Sequence, residues 1–174
     1  MMQVQNGEVA VIVDIVCAAW REAGSGLEGV AGAAARAAAA GAGVALPVAA
    51  ELGVRLCDDA EIRKLNRSWR DRDSATNVLA FALNDSPFTG EPMLGDVVVA
   101  YETCAAEAQA QEKSLSDHLS HLVVHGTLHL LGFDHKDDDE AEAMEDLERS
   151  VLTRLGITDP YLGDEVSGGF RLRP

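Results

Sequence analysis

Apolar and polar positions change period several times along this chain, and each change marks an element. Residues 8–16 (EVAVIVDIV) form a β-rich run and predict a strand. Residues 27–43 are mostly alanine with scattered glycine. Alanine is the best helix former, so this stretch predicts a helix ending near Gly41 or Gly43, and Pro47 marks a break after it. Residues 54–57 predict a short strand. Asp58 or Asp59 suits the cap of a helix that runs through Arg70, with Ile62, Leu65 and Trp69 on one face. Residues 71–77 read as a polar connection and 78–83 (VLAFAL) as a buried strand. Residues 84–95 contain Pro87, Gly90 and Pro92 and predict a loop. A further strand is expected over 96–100 (DVVVA), and a polar, Ala-rich helix over 102–113.

Ser116 suits the N-cap of the next helix, which is expected to end at Leu131. On a helical wheel His118, His121, His125 and His129 fall in one stripe. Leu119, Leu122, Val123 and Leu130 form a second, and Val124, Leu128 and Leu131 a third. A helix that is apolar around so much of its circumference is buried. Imidazoles buried with it need partners, and a metal would supply them. The last helix spans about 138–155, with Met144, Leu147, Val151 and Leu155 on its core face. Together these elements predict an α+β fold: a small mixed β-sheet of three to four strands packed with helices, the histidine-bearing helix central. Residues 1–155 are expected to form a single domain and 156–174 a flexible C-terminal tail.

Composition narrows the class. A chain of 174 residues with 47% hydrophobic content is one soluble globular domain with a proper core. No segment has the roughly 18 uninterrupted apolar residues of a membrane span. The apolar run over 9–20 is broken by Asp14, and the first residues lack the basic start of a signal peptide, so a cytoplasmic protein is expected. Cys17, Cys57 and Cys104 are scattered and odd in number, which predicts buried free thiols rather than a disulfide framework. The formal net charge of -15 argues against a broad nucleic-acid surface. Arg55, Arg63, Lys64, Arg67, Arg70 and Arg72 nevertheless cluster, while 137–148 is almost wholly acidic. A narrow basic groove, or help from a partner, is compatible with that distribution.

The chemistry concentrates in HGTLHLLGFDH. His125 and His129 are four apart, so they project from one helix face one turn apart. His135 follows after Gly132, which can end the helix and turn the chain back. Three imidazoles can thus converge on one tetrahedral ion and leave its fourth position open, the layout of a catalytic zinc site. One Zn2+ per chain is expected, although imidazole also suits Ni, Co and Cu. The spacing fits the metzincin pattern H-E-x-x-H-x-x-G-x-x-H, except that Gly126 stands where the protease carries its general-base glutamate. Gly126 suits either tight helix packing or clearance above a metal. Asp134 suits either the Nδ1–H of a ligand histidine or the turn after the helix. His118 and His121 share the ligand face, as packed residues or as supports of the site. The run Asp137-Asp138-Asp139-Glu140 suits a helix N-terminus and its dipole. Trp69 and Phe81 are expected in the core.

HGTLHLLGFDH resembles the signature H-G-x-L-H-L-x-G-[YF]-D-H of the YbeY family of bacterial rRNA maturation factors, described as metal-dependent endoribonucleases. LNRSWRDRDSATNVLAF and LGDVVVA resemble two further segments of that family, and the likeness runs from about residue 54 to 155. Ala80-Phe81-Ala82 stands where the family usually reads Ser-Phe-Pro, and Asn77 where many members have Asp. The resemblance implies a zinc-dependent single-strand endoribonuclease acting in 16S rRNA 3′-end maturation and ribosome quality control. It implies His125, His129 and His135 on the metal and Arg70 as the active-site arginine. It also implies the small ribosomal subunit, a ribosomal protein and a ribosome-associated GTPase as partners. A guanidinium such as that of Arg70 can bind two phosphate oxygens and stabilise the charge of a phosphorane-like transition state. Two other readings stand beside this one: a ribosome-assembly factor with a structural metal and little nuclease activity, and a zinc peptidase-like metallohydrolase.

Overall fold

The computed structural model describes residues 8–83 and 92–160. Strand β1 (Ala10–Ile15) alternates exposed and half-buried positions, as a strand at a sheet edge does. Helix α1 (Ala18–Ala23) and helix α2 (Leu27–Gly41) follow, then β2 (Glu51–Cys57), α3 (Asp59–Arg70), β3 (Val78–Ala82), β4 (Met93–Ala100), α4 (Tyr101–Ala110), α5 (Leu115–Leu130) and α6 (Asp138–Arg154). The four strands form one sheet in the order β1-β2-β4-β3. β1 and β4 flank β2 in parallel, and β3 pairs with β4 antiparallel. The α+β expectation with a small mixed sheet is met.

The two sheet faces are covered unequally. Leu52, Val54 and Leu56 of β2 and Val97 and Val99 of β4 join Leu119, Leu122, Val123 and Leu128 of α5 and the alanines of α2 in the main core. Small side chains bring α2 close: Ala31, Ala34, Ala35 and Ala38 are fully buried. The opposite face carries a smaller cluster of Cys57, Ile62, Leu79, Val98 and Ala100 beneath α3. The rest of that face is an open groove of about 1040 Å³, bordered by Ile12, Gly53, Trp69, Arg70, Phe81 and Asp96.

Several boundaries differ from the sequence expectation, each for a local reason. Helix α1 was not anticipated, because the apolar run continues into it without a glycine or proline to mark the change of period. Its Trp20 is fully buried, donates from Nε1 to the Cys57 carbonyl at 2.8 Å and meets Tyr101 edge-on. β2 begins at Glu51 rather than residue 54. β4 begins at Met93, inside the stretch expected to be loop through Gly95; the remaining expected loop positions 84–91 lie outside the described residues. Pairing survives there because the register shifts, Glu51 facing Met93 and Leu52 facing Gly95. Gly95 has φ +139°, and a Cβ would lie 2.2 Å from the Phe81 carbonyl, so the bulge requires glycine. Ser114, not Ser116, caps α5, accepting from the Asp117 N–H at 3.0 Å. The earlier start lets Leu115 join the main core. Asp58 caps α3 as expected.

Trp69 corrects the expectation of a core residue: it is 73% exposed. Ile62 and Leu65 fill the cluster beneath α3, and the last turn of that helix overhangs the groove, where Trp69 meets only the edge of Phe81, 6.5 Å between ring centroids. At the other end of the chain, Gly156 (φ +77°) ends α6 and Ile157 folds back onto the core, its N–H bonded to the Leu152 carbonyl. Beyond Pro160 the expected tail lies outside the described residues.

The thiols give a direct check of this packing. Cys57 and Cys104 are fully buried, and burial pushes the Cys57 thiol up to about 12 and raises Cys104 as well. Cys17 is only half-buried. A thiol reagent at pH 8 is expected to modify Cys17 alone in the native protein and all three after unfolding. Rapid native labelling of two or more thiols would refute the packing.

Candidate metal centre

Helix α5 is buried on nearly every side, and three histidines of its stripe each set one ring nitrogen against a carboxylate from a neighbouring helix. His118 is fully buried, and its Nε2 lies 3.1 Å from Glu107 Oε1 of α4. Glu107 also accepts from the Asn77 amide, which orients the start of β3. One turn on, His121 Nε2 lies 3.2 Å from Glu148 Oε2 of α6. His125 Nδ1 lies 2.5 Å from the other oxygen, Glu148 Oε1. Glu148 is 1% exposed. Burial alone would raise its carboxyl, but the hydrogen bonds from His121 and His125 hold it well below the usual carboxylate range. An ionised carboxylate only accepts, so both rings turn an N–H toward it.

The second ring nitrogen of His125, Nε2, is not held by Glu148. It points at His129 Nε2, 3.1 Å away. Chain reversal then brings in the third ring. Gly132 adopts φ +95°; its N–H bonds the His129 carbonyl and the Phe133 N–H bonds the Leu128 carbonyl, closing α5 with a Schellman turn. His135 returns over the helix end, 5.2 Å from the His129 ring centroid and 6.0 Å from that of His125. Asp134 takes the turn alternative: it accepts the His135 backbone N–H at 2.8 Å, while its carboxylate is 4.0 Å from His135 Nδ1, too far to hold the ring.

One nitrogen from each of His125, His129 and His135 lies within 4.8 Å of the others. His135 Nε2 is buried without a hydrogen-bond partner. A tetrahedral ion with Zn–N bonds of about 2.05 Å separates its nitrogens by about 3.3 Å. The cluster therefore fits a divalent ion with small ring movements. Burial, followed by the neighbouring His125 and His135, depresses the His129 imidazole to about 4, so it is neutral and ready to ligate near pH 7.

Arg70 reaches this cluster from the end of α3. Its Nη2 donates to the Ala80 carbonyl at 2.8 Å, and its guanidinium lies 5.6 Å from the Phe81 ring centroid. Arg70, Ala80, His125, Gly126 and His129 line one pocket of about 200 Å³. Two of the other clustered cations are used differently. Arg55 pairs with Asp14 and Glu61, and Arg63 pairs with Asp73. The acidic run at 137–140 performs its expected role: Asp137 caps α6 through the Glu140 N–H.

Sequence reasoning missed Glu107 and Glu148. Glu148 left a signal: it interrupts an otherwise apolar stripe of Met144, Val151 and Leu152 on α6. A carboxylate inside such a stripe needs a partner on a facing element.

Gly126 packs against the sheet. A Cβ there would stand 2.6 Å from Val97 Cγ1 and 3.3 Å from Val78 Cγ2. Gly126→Ala gains about 1 kcal/mol of helix propensity but overpacks a rigid β-branched contact at a cost of about 1–3 kcal/mol. We expect lower stability, by up to roughly 2 kcal/mol net, seen as a Tm drop of up to about 8 °C. A raised Tm would show that helix and sheet are not pressed together there.

The depressed imidazoles also set a pH dependence. His129 and His121 both lie below the usual histidine range, chiefly through burial. The unfolded chain therefore binds more protons than the native one as pH falls below about 6.5, and stability is lost between there and about 4. Glu148 is held below its ordinary range, so its contribution persists through that window. Metal-free protein should melt at a lower temperature at pH 5 than at pH 7; equal melting would contradict these shifts.

Comparison with known proteins converges on one family. The family described as Endoribonuclease YbeY matches residues 26–156. An Endoribonuclease YbeY of Azorhizobium caulinodans is 58% identical over 130 residues, covering 74% of this chain and 82% of the relative. That of Paramagnetospirillum magneticum is 54% identical over 160 residues, covering 88% and 96%. The solution structure of TM1509 from Thermotoga maritima shares the fold with a TM-score of 0.50 at 21% identity, over 94% of this chain and 99% of that one. On the strength of these matches over most of its length, the chain belongs to the YbeY endoribonuclease family.

Proposed function

We propose that this chain is a zinc-dependent endoribonuclease that cuts single-stranded rRNA, acting in 16S rRNA 3′-end maturation and ribosome quality control. The observation that carries the reading is the convergence of His125, His129 and His135 nitrogens beside Arg70 at one pocket. Relatives named Endoribonuclease YbeY, more than half identical to this chain, support the substrate class. Three imidazoles with an open fourth position suit one Zn2+ per chain.

A bound divalent ion supplies Lewis acidity and an acidified water at this pocket. The chain's own residues do the rest. His125 Nδ1 lies against Glu148, and its Nε2 faces the ion site. Arg70 is anchored by the Ala80 carbonyl, which leaves the rest of its guanidinium to donate to the non-bridging oxygens of a scissile phosphate. β3 supplies the wall on which that phosphate would sit. The peptidase reading loses support from Gly126: a glutamate there would start against Val97, directed into the sheet.

By family likeness the partners are the small ribosomal subunit, one of its proteins and a ribosome-associated GTPase, in the cytoplasm. Among the described residues no helix is long and apolar enough to cross a membrane. The net charge of -15 suits a short RNA footprint presented by such partners.

Metal content by mass spectrometry, paired with cleavage of a structured rRNA fragment, tests the proposal. Wild type should hold one equivalent of zinc, and His129→Ala should lose zinc and cleavage together. Arg70→Ala should keep the metal and the fold while kcat falls about 100-fold or more. Cleavage that survives His129→Ala would assign the activity to another source. Zinc without any wild-type cleavage would favour an assembly factor with a structural metal.

A further inference from the structure

Glu148 is buried at a place where an apolar side chain would complete the core face of α6. Its neighbours on that stripe, Met144, Val151 and Leu152, are all buried and packed in the main cluster. A carboxylate there carries a desolvation cost that a leucine would avoid. The cost is offset by hydrogen bonds, and both oxygens are used: Oε1 on His125 Nδ1 and Oε2 on His121 Nε2. His121 thus fixes the roll of the carboxylate, and the carboxylate fixes His125.

We propose that Glu148 is a positioning residue for the metal site: it accepts the Nδ1–H of His125 and so keeps Nε2 bare and aimed at His129 and His135. This rests on the metal reading above. The opposite tautomer would place a hydrogen on Nε2, the nitrogen that would have to ligate an ion, where it faces His129 Nε2 at 3.1 Å. A carboxylate behind the ring also raises the basicity of the ligating nitrogen. With an ion bound, the arrangement would be a carboxylate–histidine–metal triad. The acid comes from α6 and two of the imidazoles from α5, so docking of α6 completes the site.

Glu148→Gln is the decisive variant because it preserves shape. Glutamine has one accepting oxygen, and its NH2 must face the second imidazole, so one of the two rings loses its acceptor. Chelator competition should show zinc binding weakened about 10- to 100-fold, with the native circular dichroism spectrum retained. Glu148→Asp should recover part of the affinity, a rescue that simple packing would not predict. Nitrogen-detected NMR of the metal-free wild type should report His125 as the Nδ1–H tautomer, and Glu148→Gln should shift that population toward Nε2–H. Wild-type affinity in a folded Glu148→Gln, or a wild-type His125 in the Nε2–H form, would overturn the proposal. If wild type bound no zinc, the metal reading would fail, while the tautomer measurement would still decide the role of Glu148. If Glu148→Gln failed to fold, the wild-type tautomer would decide it alone.

Discussion

Everything in this molecule depends on how α5 is desolvated. The helix lies against the sheet and beneath α2, α4 and α6, with most of its positions buried, yet one stripe of it carries four imidazoles. A buried polar ring without a partner costs roughly 1–3 kcal/mol, comparable to a large share of a domain's stability. The fold therefore has to supply an acceptor for each turn of the stripe. Glu107 answers His118, Glu148 answers His121 and His125, and an ion would answer the free nitrogens of His125, His129 and His135. Polarity along the stripe grades from structural at the capped end to chemical at the Gly132 end.

Gly126 and Gly132 make that gradient possible through different physics. Gly126 removes a side chain so that β4 and β3 can approach, which sets His125 and His129 at the edge of the sheet beside Ala80. Gly132 adopts a left-handed conformation that reverses the chain so that His135 meets rings it could not reach along a continuing helix. One glycine acts by close approach and the other by backbone freedom, and the same spacing motif contains both.

Much of this was legible in the sequence because it is local. Residues four apart on a helix share a face whatever else happens, so His125 and His129 were assignable, and the glycine before His135 announced the turn. Strands and helices whose period was clean, such as 78–83 and 138–155, appeared close to where they were read. What failed was long-range. Trp69 lies on the helical face of Ile62 and Leu65, and nothing local says that the sheet beneath them gives way to a groove. Glu148 lies 23 residues beyond His125, and its role exists only because α6 folds back against α5. Ser114 and Ser116 are equally good caps in isolation, and with Ser114 as the cap a half-buried Leu115 packs against the core.

The acidic character of the chain fits a site of this kind. Sequence-independent binding to RNA through counterion release needs many phosphate contacts, and a protein of net charge -15 is poorly built for that. Within the basic stretch, Arg55 and Arg63 are paired with their own carboxylates and add little to such a track. Arg70 differs: its anchor is a neutral carbonyl, so its charge is not cancelled by that contact, and it sits beside the imidazole cluster. On the proposed function, electrostatic attraction is concentrated at one phosphate, where the ion and Arg70 meet, and is weak elsewhere. Affinity for RNA at large would then be low, and selection of the strand to be cut would fall to whatever presents it. A nuclease inside a cell full of RNA benefits from that division, since a local charge accelerates cleavage at the pocket without holding every transcript that passes.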